Sequence, residues 1–220
     1  MNGVRDAMRS CAWLLVCGCA SEPLSGETQC EAIEGDLVIT EVHANPDGSD
    51  GQDEFIELYN PSDGVLELAG LSLVSSRSDG TGASEHQFGE GAIPARGYYV
   101  LGNADPESTP PHINYSYGAT LGSLRNSDAR LSLWCNDRLI DAVEYARTRD
   151  GRSLGFDGQF EPDASRNDDA GHWCVAPEGA SEVFTGNFGT PGTPNDECTG
   201  SPVVPPCVDD GELALPPTPG

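Results

Sequence analysis

Nowhere does this chain run for a dozen residues with a helical apolar stripe uninterrupted by Gly or Pro, and that excludes most helical architectures. Short alternating runs recur instead, separated by turn clusters. Residues 36–43 (DLVITEVH) are rich in β-branched side chains, and 55–59 (FIELY) put Ile56 and Leu58 on one face with Phe55 and Glu57 on the other. Residues 65–68 and 71–74 flank a small corner at Ala69-Gly70, and 97–101 (GYYVL) leave a turn that begins at Pro94. Residues 131–134 and 139–145 flank Asn136-Asp137, a hairpin signal. Many short strands with frequent turns predict an all-β chain folded as a β-sandwich.

Charge narrows the partners. Thirty-six acids stand against eleven bases, a net of −25, and every base is Arg. A surface of that sign repels phosphate backbones, so nucleic acid is not a partner; cations and basic proteins are compatible.

The first nineteen residues read as a processed segment. Arg5 and Arg9 precede an apolar run from Ala12 to Val16, far short of the ~20 apolar residues that span a bilayer. The ending Val16-Cys17-Gly18-Cys19 resembles the bacterial lipobox. Residues 1–18 are therefore expected to be a lipoprotein signal peptide, with Cys19 the lipidated residue and 19–35 a linker. The expected location is the cell envelope, anchored to the membrane by lipid. Ala20 after the Cys suggests the outer membrane; an ordinary secretory signal, giving a secreted protein, is the alternative. Residues 199–220 contain six Pro and three Gly without sustained pattern and read as a disordered Pro-rich tail.

With Cys11 and Cys17 in the signal and Cys19 lipidated, five cysteines remain, and no CxxC spacing among them suggests zinc. Cys30 and Cys198 bracket the domain, and Cys135 and Cys174 lie near bulky apolar residues. The expected disulfides are Cys30–Cys198 and Cys135–Cys174, with Cys207 free in the tail and its exchange for Cys198 the rival.

Three motifs could carry chemistry. Five acids fall between Asp47 and Glu57, and Asp47, Asp50 and Asp53 offer hard oxygen ligands for calcium. The EF-hand register fails, because Gln52 and Leu58 occupy the positions that need Gly and Glu, so a solvated loop competes with a calcium loop. Residues 151–155 (GRSLG) fit GxSxG, but without strand–turn–helix context or sufficient length for an α/β-hydrolase. The four histidines, His43, His86, His112 and His172, show no paired ligand spacing. No cofactor other than calcium is indicated.

ITEVHANP at 39–46, DEFIELYNPSD at 53–63, LAGLSL at 68–73, IPARGYYVLG at 93–102, the LIDAVEY arm, GRSL at 151, Trp173 and GTPGTPN at 189–195 resemble the lamin-tail domain in order and spacing. The resemblance implies an immunoglobulin-like β-sandwich over 36–198, acting as a non-catalytic binding or structural module for an unknown protein or cell-envelope ligand. A calcium-dependent adhesion module, or an accessory to an exported hydrolase system, is the alternative. Independently of the resemblance, Glu41 and Glu57 stand among apolar neighbours and must point outward or find donors.

Overall fold

A computed structural model describes residues 30–48, 52–177 and 179–199. Alternation becomes strands: β1 (Val38–His43), β2 (Phe55–Tyr59), β3 (Leu66–Glu67), β4 (Leu71–Arg77), β5 (Ser84–Gln87), β6 (Ala92–Ile93), β7 (Tyr98–Gly102) and β8 (Tyr115–Ser116). They are followed by β9 (Ser127–Cys135), β10 (Arg138–Arg147), β11 (Leu154–Phe156), β12 (Trp173–Val175), β13 (Glu182–Phe184) and β14 (Asn187–Phe188). A single 3-10 turn, Ala170–His172, interrupts them among the described residues. No helix there is long and apolar enough to cross a membrane.

The strands form two principal sheets. The larger runs β12-β11-β1-β2-β7-β8 and the smaller β10-β9-β4-β5, with β3-β6 and β13-β14 as separate ribbons. All pairs are antiparallel except β7 with β8. Ile39, Ile56, Leu58 and Leu101 of the larger sheet, with Leu37 just before β1, meet Leu71, Leu73, Leu131, Leu133 and Val143 of the smaller in one buried cluster. Burial of such side chains supplies the main driving force for packing the layers. The fold is an all-β, immunoglobulin-like sandwich.

Turn chemistry fixes the ends. Gly70 takes φ +87° at the corner between β3 and β4, where a Cβ would be strained. Asn60, fully buried after β2, donates to the carbonyls of Gly64, Ile93 and Pro94 and accepts from Ser62 N–H. Asn136 turns the β9–β10 hairpin at φ 54°. That is a left-handed conformation Asn tolerates.

The disulfide pairing differs from expectation. The bonds are Cys30–Cys135 and Cys174–Cys198, not Cys30–Cys198 and Cys135–Cys174. Residues 30–35, expected to be linker, lie along the β9–β10 hairpin: Arg138 Nη1 donates to Ala32 O at 2.9 Å and Gly35 N to Ile140 O at 3.0 Å. That brings the Cys30 and Cys135 Cα atoms to 5.5 Å. The end of the domain turns back along β11–β12, with Gly158 N donating to Asp196 O and Cys198 N to Asp157 Oδ1. Cys174 on β12 is then 5.7 Å from Cys198 between Cα atoms, within the range a bridge requires. The expected signal segment, Cys19, Cys207 and all but the first residue of the expected Pro-rich tail lie outside the described residues.

All five residues of β2 are buried. Its second face is covered over Phe55 by His112 and Ile113 and over Glu57 by residues following β10, and buried polar groups gather beneath the latter.

Candidate functional site

Strand β1 carries a bulge between Ile39 and Glu41. Beyond it Glu41 stands opposite Glu57 of β2, and the extra residue, Thr40, turns its hydroxyl toward the same carboxylate. Thr40 Oγ1 donates to Glu57 Oε1 at 2.7 Å. Two carboxylates on neighbouring strands, 1% and 0% exposed, are thus buried side by side.

Their donors come from the far end of the chain. Ser153, just before β11, donates its hydroxyl to Glu41 Oε1 at 2.5 Å, and Thr190 N donates to the same oxygen at 2.9 Å. Gly192 N donates to Glu57 Oε2 at 2.6 Å, while Asn195 Nδ2 donates to Thr40 O at 2.8 Å. The GTPGTPN segment is the clasp that closes this face. Among the described residues neither carboxylate has an ion-pair partner. Burial pushes Glu41 up to about 7, partly offset by the Ser153 hydroxyl and Thr190 amide. Burial, then the charge of Glu41, raises Glu57 well above the usual carboxylate range. Like charges in a dry site cannot both ionise readily, so the pair retains a proton near neutrality.

Beside it lies a ring cluster. His43 stacks on Phe55 at 5.1 Å and His112 on Phe184 at 5.6 Å. Asn187 Oδ1 accepts Asp47 N–H at 2.7 Å and lies 2.9 Å from His43 Nε2. An oxygen already accepting makes Nε2 the protonated nitrogen of a neutral His43. Burial lowers both histidines, opposed in each by Asp53.

Of the expected calcium ligands, Asp47 is tied through its backbone to Asn187 and Asp53 faces the two histidines electrostatically. Asp50 lies outside the described residues. Among those described, no group of three or more His, Cys, Asp or Glu could hold a metal ion.

The GxSxG segment enters a strand, β11, instead of a helix, and Ser153 is 1% exposed. Its hydroxyl engages Glu41, while the histidines bond elsewhere. His43 meets Asn187, His86 meets Thr120 and Tyr115, and His172 bonds the Arg166 carbonyl. A carboxylate stands beside the hydroxyl, but a nucleophile also needs room for substrate, and the clasp occupies that room: even a Cβ on Gly189 would fall 2.7 Å from Ser153 Oγ. A more open groove of about 390 Å³ lies at the loop end, lined by Gln52, Asn103, Ala104, Asp105, Pro106, Gly118, Ala119, Gly122 and Ser123.

Sequence reasoning identified Glu41 and Glu57 as needing donors but not Asn187, Thr190 or Gly192 as supplying bonds on this face. The family model described as Lamin Tail Domain matches residues 31–147. It therefore ends before GRSL, Trp173 and GTPGTPN, the parts that cover the second face. No curated protein matches the chain.

Proposed function

The chain belongs to the lamin tail domain family, and from that premise we propose that it is an exported, lipid-anchored surface protein whose single domain is a non-catalytic binding and structural module. The observation that carries the non-catalytic part is the burial of Ser153, whose hydroxyl serves Glu41 beneath the clasp. A purified domain should hydrolyse no activated ester above background. Turnover abolished by Ser153→Ala would overturn the proposal.

Anchoring rests on Val16-Cys17-Gly18-Cys19. Acyl chains contribute about 0.8 kcal/mol per buried methylene, so a lipidated Cys19 with several chains holds the protein at the envelope without protein contacts. Ala20 supports outer-membrane placement. Globomycin should leave unprocessed precursor, and a Cys19→Ala protein should leave the membrane fraction; retention there would refute the anchor.

The groove at the loop end is the surface we assign to a partner. Its lining includes the Gln52 amide and the Asp105 carboxylate and no basic side chain, which suits a ligand rich in hydrogen-bond donors. Ala119→Trp, an exposed change that fills the groove, should reduce capture of envelope material by the immobilised domain at least several-fold. Unchanged capture would place the partner elsewhere.

A further inference from the structure

The smaller sheet turns one face to the core and the other outward. Leu73 of β4 and Leu131 and Leu133 of β9 belong to the core, so alternation points Ser72, Val74, Ser132 and Trp134 away from it. Across the ladder Trp134 is level with Ser72 and Gln87 on one side and Leu139 on the other, and Ser132 is level with Val74, Glu85 and Ala142. These two rows carry one charge, Glu85, which is exposed and has no ion-pair partner among the described residues. In the next row the base Arg130 is already held by Glu144 at 2.6 Å.

Trp134 gives this face an anchor. Its Nε1 donates at 2.9 Å to Ser132 Oγ, two residues back on the same strand, so the indole lies along the strand instead of standing upright. Ser132 and Ala142 are buried although they point outward, which an indole laid over their row explains, and Trp134 itself is half-buried. A ring lying flat turns one π face to solvent. Among the described residues the chain's own cation–π contacts are elsewhere, Arg152 on Phe188 and Arg166 on Phe160. Trp is the best aromatic platform for a cation, and a net charge of −25 draws basic partners toward the protein.

We propose that this outer face docks a basic segment of a partner protein, with one guanidinium stacked on Trp134 and a second cation paired to Glu85. The two anchors stand two strand spacings apart, roughly 10 Å, which an extended chain covers in about three residues. The preferred ligand therefore carries two Arg three positions apart. A guanidinium suits the indole better than an ammonium, because it is planar and weakly hydrated and can stack. This surface shares no residue with the groove at the loop end, and it depends neither on that assignment nor on anchoring.

Fluorescence anisotropy of a labelled peptide with that Arg spacing, titrated with the oxidised protein, tests the assignment. Affinity should fall about three- to fivefold in Trp134→Ala and about two- to fivefold in Glu85→Gln. Glu67→Gln, which removes an exposed acid on β3, should leave it unchanged. Equal losses in Glu67→Gln and Glu85→Gln would show that bulk charge alone attracts the peptide, and would overturn the proposal. Full affinity in Trp134→Ala, or no binding of the peptide to the wild type, would overturn it too. A neutral oligosaccharide that binds the wild type and not Trp134→Ala, where the peptide does not bind, would give the face to a glycan instead. Glu85→Gln alters only an exposed side chain on an edge strand, so its comparison with Glu67→Gln decides the matter if Trp134→Ala does not fold.

Discussion

Asp141 and Asn167 form a second buried acid–amide arrangement. Asp141, 3% exposed, accepts Ile39 N at 2.6 Å and Asn167 Nδ2 at 2.8 Å through Oδ2, while its Oδ1 and Asn167 Oδ1 both lack donors. Burial pushes Asp141 up to about 7 against the pull of those hydrogen bonds. A proton on the acid supplies a donor where two acceptors stand unanswered. Because Asp141 and Glu41 are both raised in the fold, their stabilising contribution is complete below about 4. It is lost as pH rises through about 7. For each group the loss is on the order of 1–3 kcal/mol between pH 5 and pH 8. Asp141→Asn replaces the acid with a neutral group that can accept from Ile39 N and donate toward Asn167 Oδ1. It should raise the melting temperature at pH 8 and leave it nearly unchanged at pH 5. Equal shifts at both pH values would show that Asp141 is ionised throughout.

At the scale of elements, the closing turn depends on close approach. A Cβ on Gly189 would stand 2.6 Å from Glu41 Oε1 and 2.7 Å from Ser153 Oγ. These atoms already bond one another. Gly189→Ala should therefore destabilise the domain by about 1–3 kcal/mol, as overpacking does. Hydrogen exchange should quicken at the Thr190 and Gly192 amides and stay slow across β9–β10. Chemical denaturation measures the first effect and exchange mass spectrometry the second; a change below about 0.5 kcal/mol, the scale of ordinary surface substitutions, would mean the turn tolerates the methyl. The β1 bulge has a parallel role. Thr40→Val keeps its shape but removes the hydroxyl from Glu57, and should cost about 1–3 kcal/mol by leaving a buried acceptor short of a donor.

For the whole molecule, the disulfides close loops of different reach, separated by 105 and 24 residues. Chain entropy assigns them roughly 5 and 3 kcal/mol. Non-reducing peptide mapping should recover Cys30 joined to Cys135 and Cys174 to Cys198. The double variant Cys174→Ser, Cys198→Ser should lose about 3 kcal/mol and loosen the clasp first; recovery of Cys30 joined to Cys198 would contradict the topology. Strand β2 was legible to the residue, and the β9–β10 hairpin was evident from its turn, because alternation and turn residues are local chemistry. Strand β5, with its polar SEHQ sequence, and two-residue strands such as β6 and β8 carry too little pattern to be read. The needs of Glu41 and Glu57 were visible, but donors more than a hundred residues away were not. The same four cysteines were expected to pair, yet only the path of the chain ends over the sheets settled the partners. By itself, then, the sequence determined an acidic all-β sandwich with the lamin-tail strand pattern, since period-two burial and turn stereochemistry act within a few residues. Tertiary structure decided the disulfide connectivity and the cover over the second face of β2, because both depend on proximity between segments far apart along the chain.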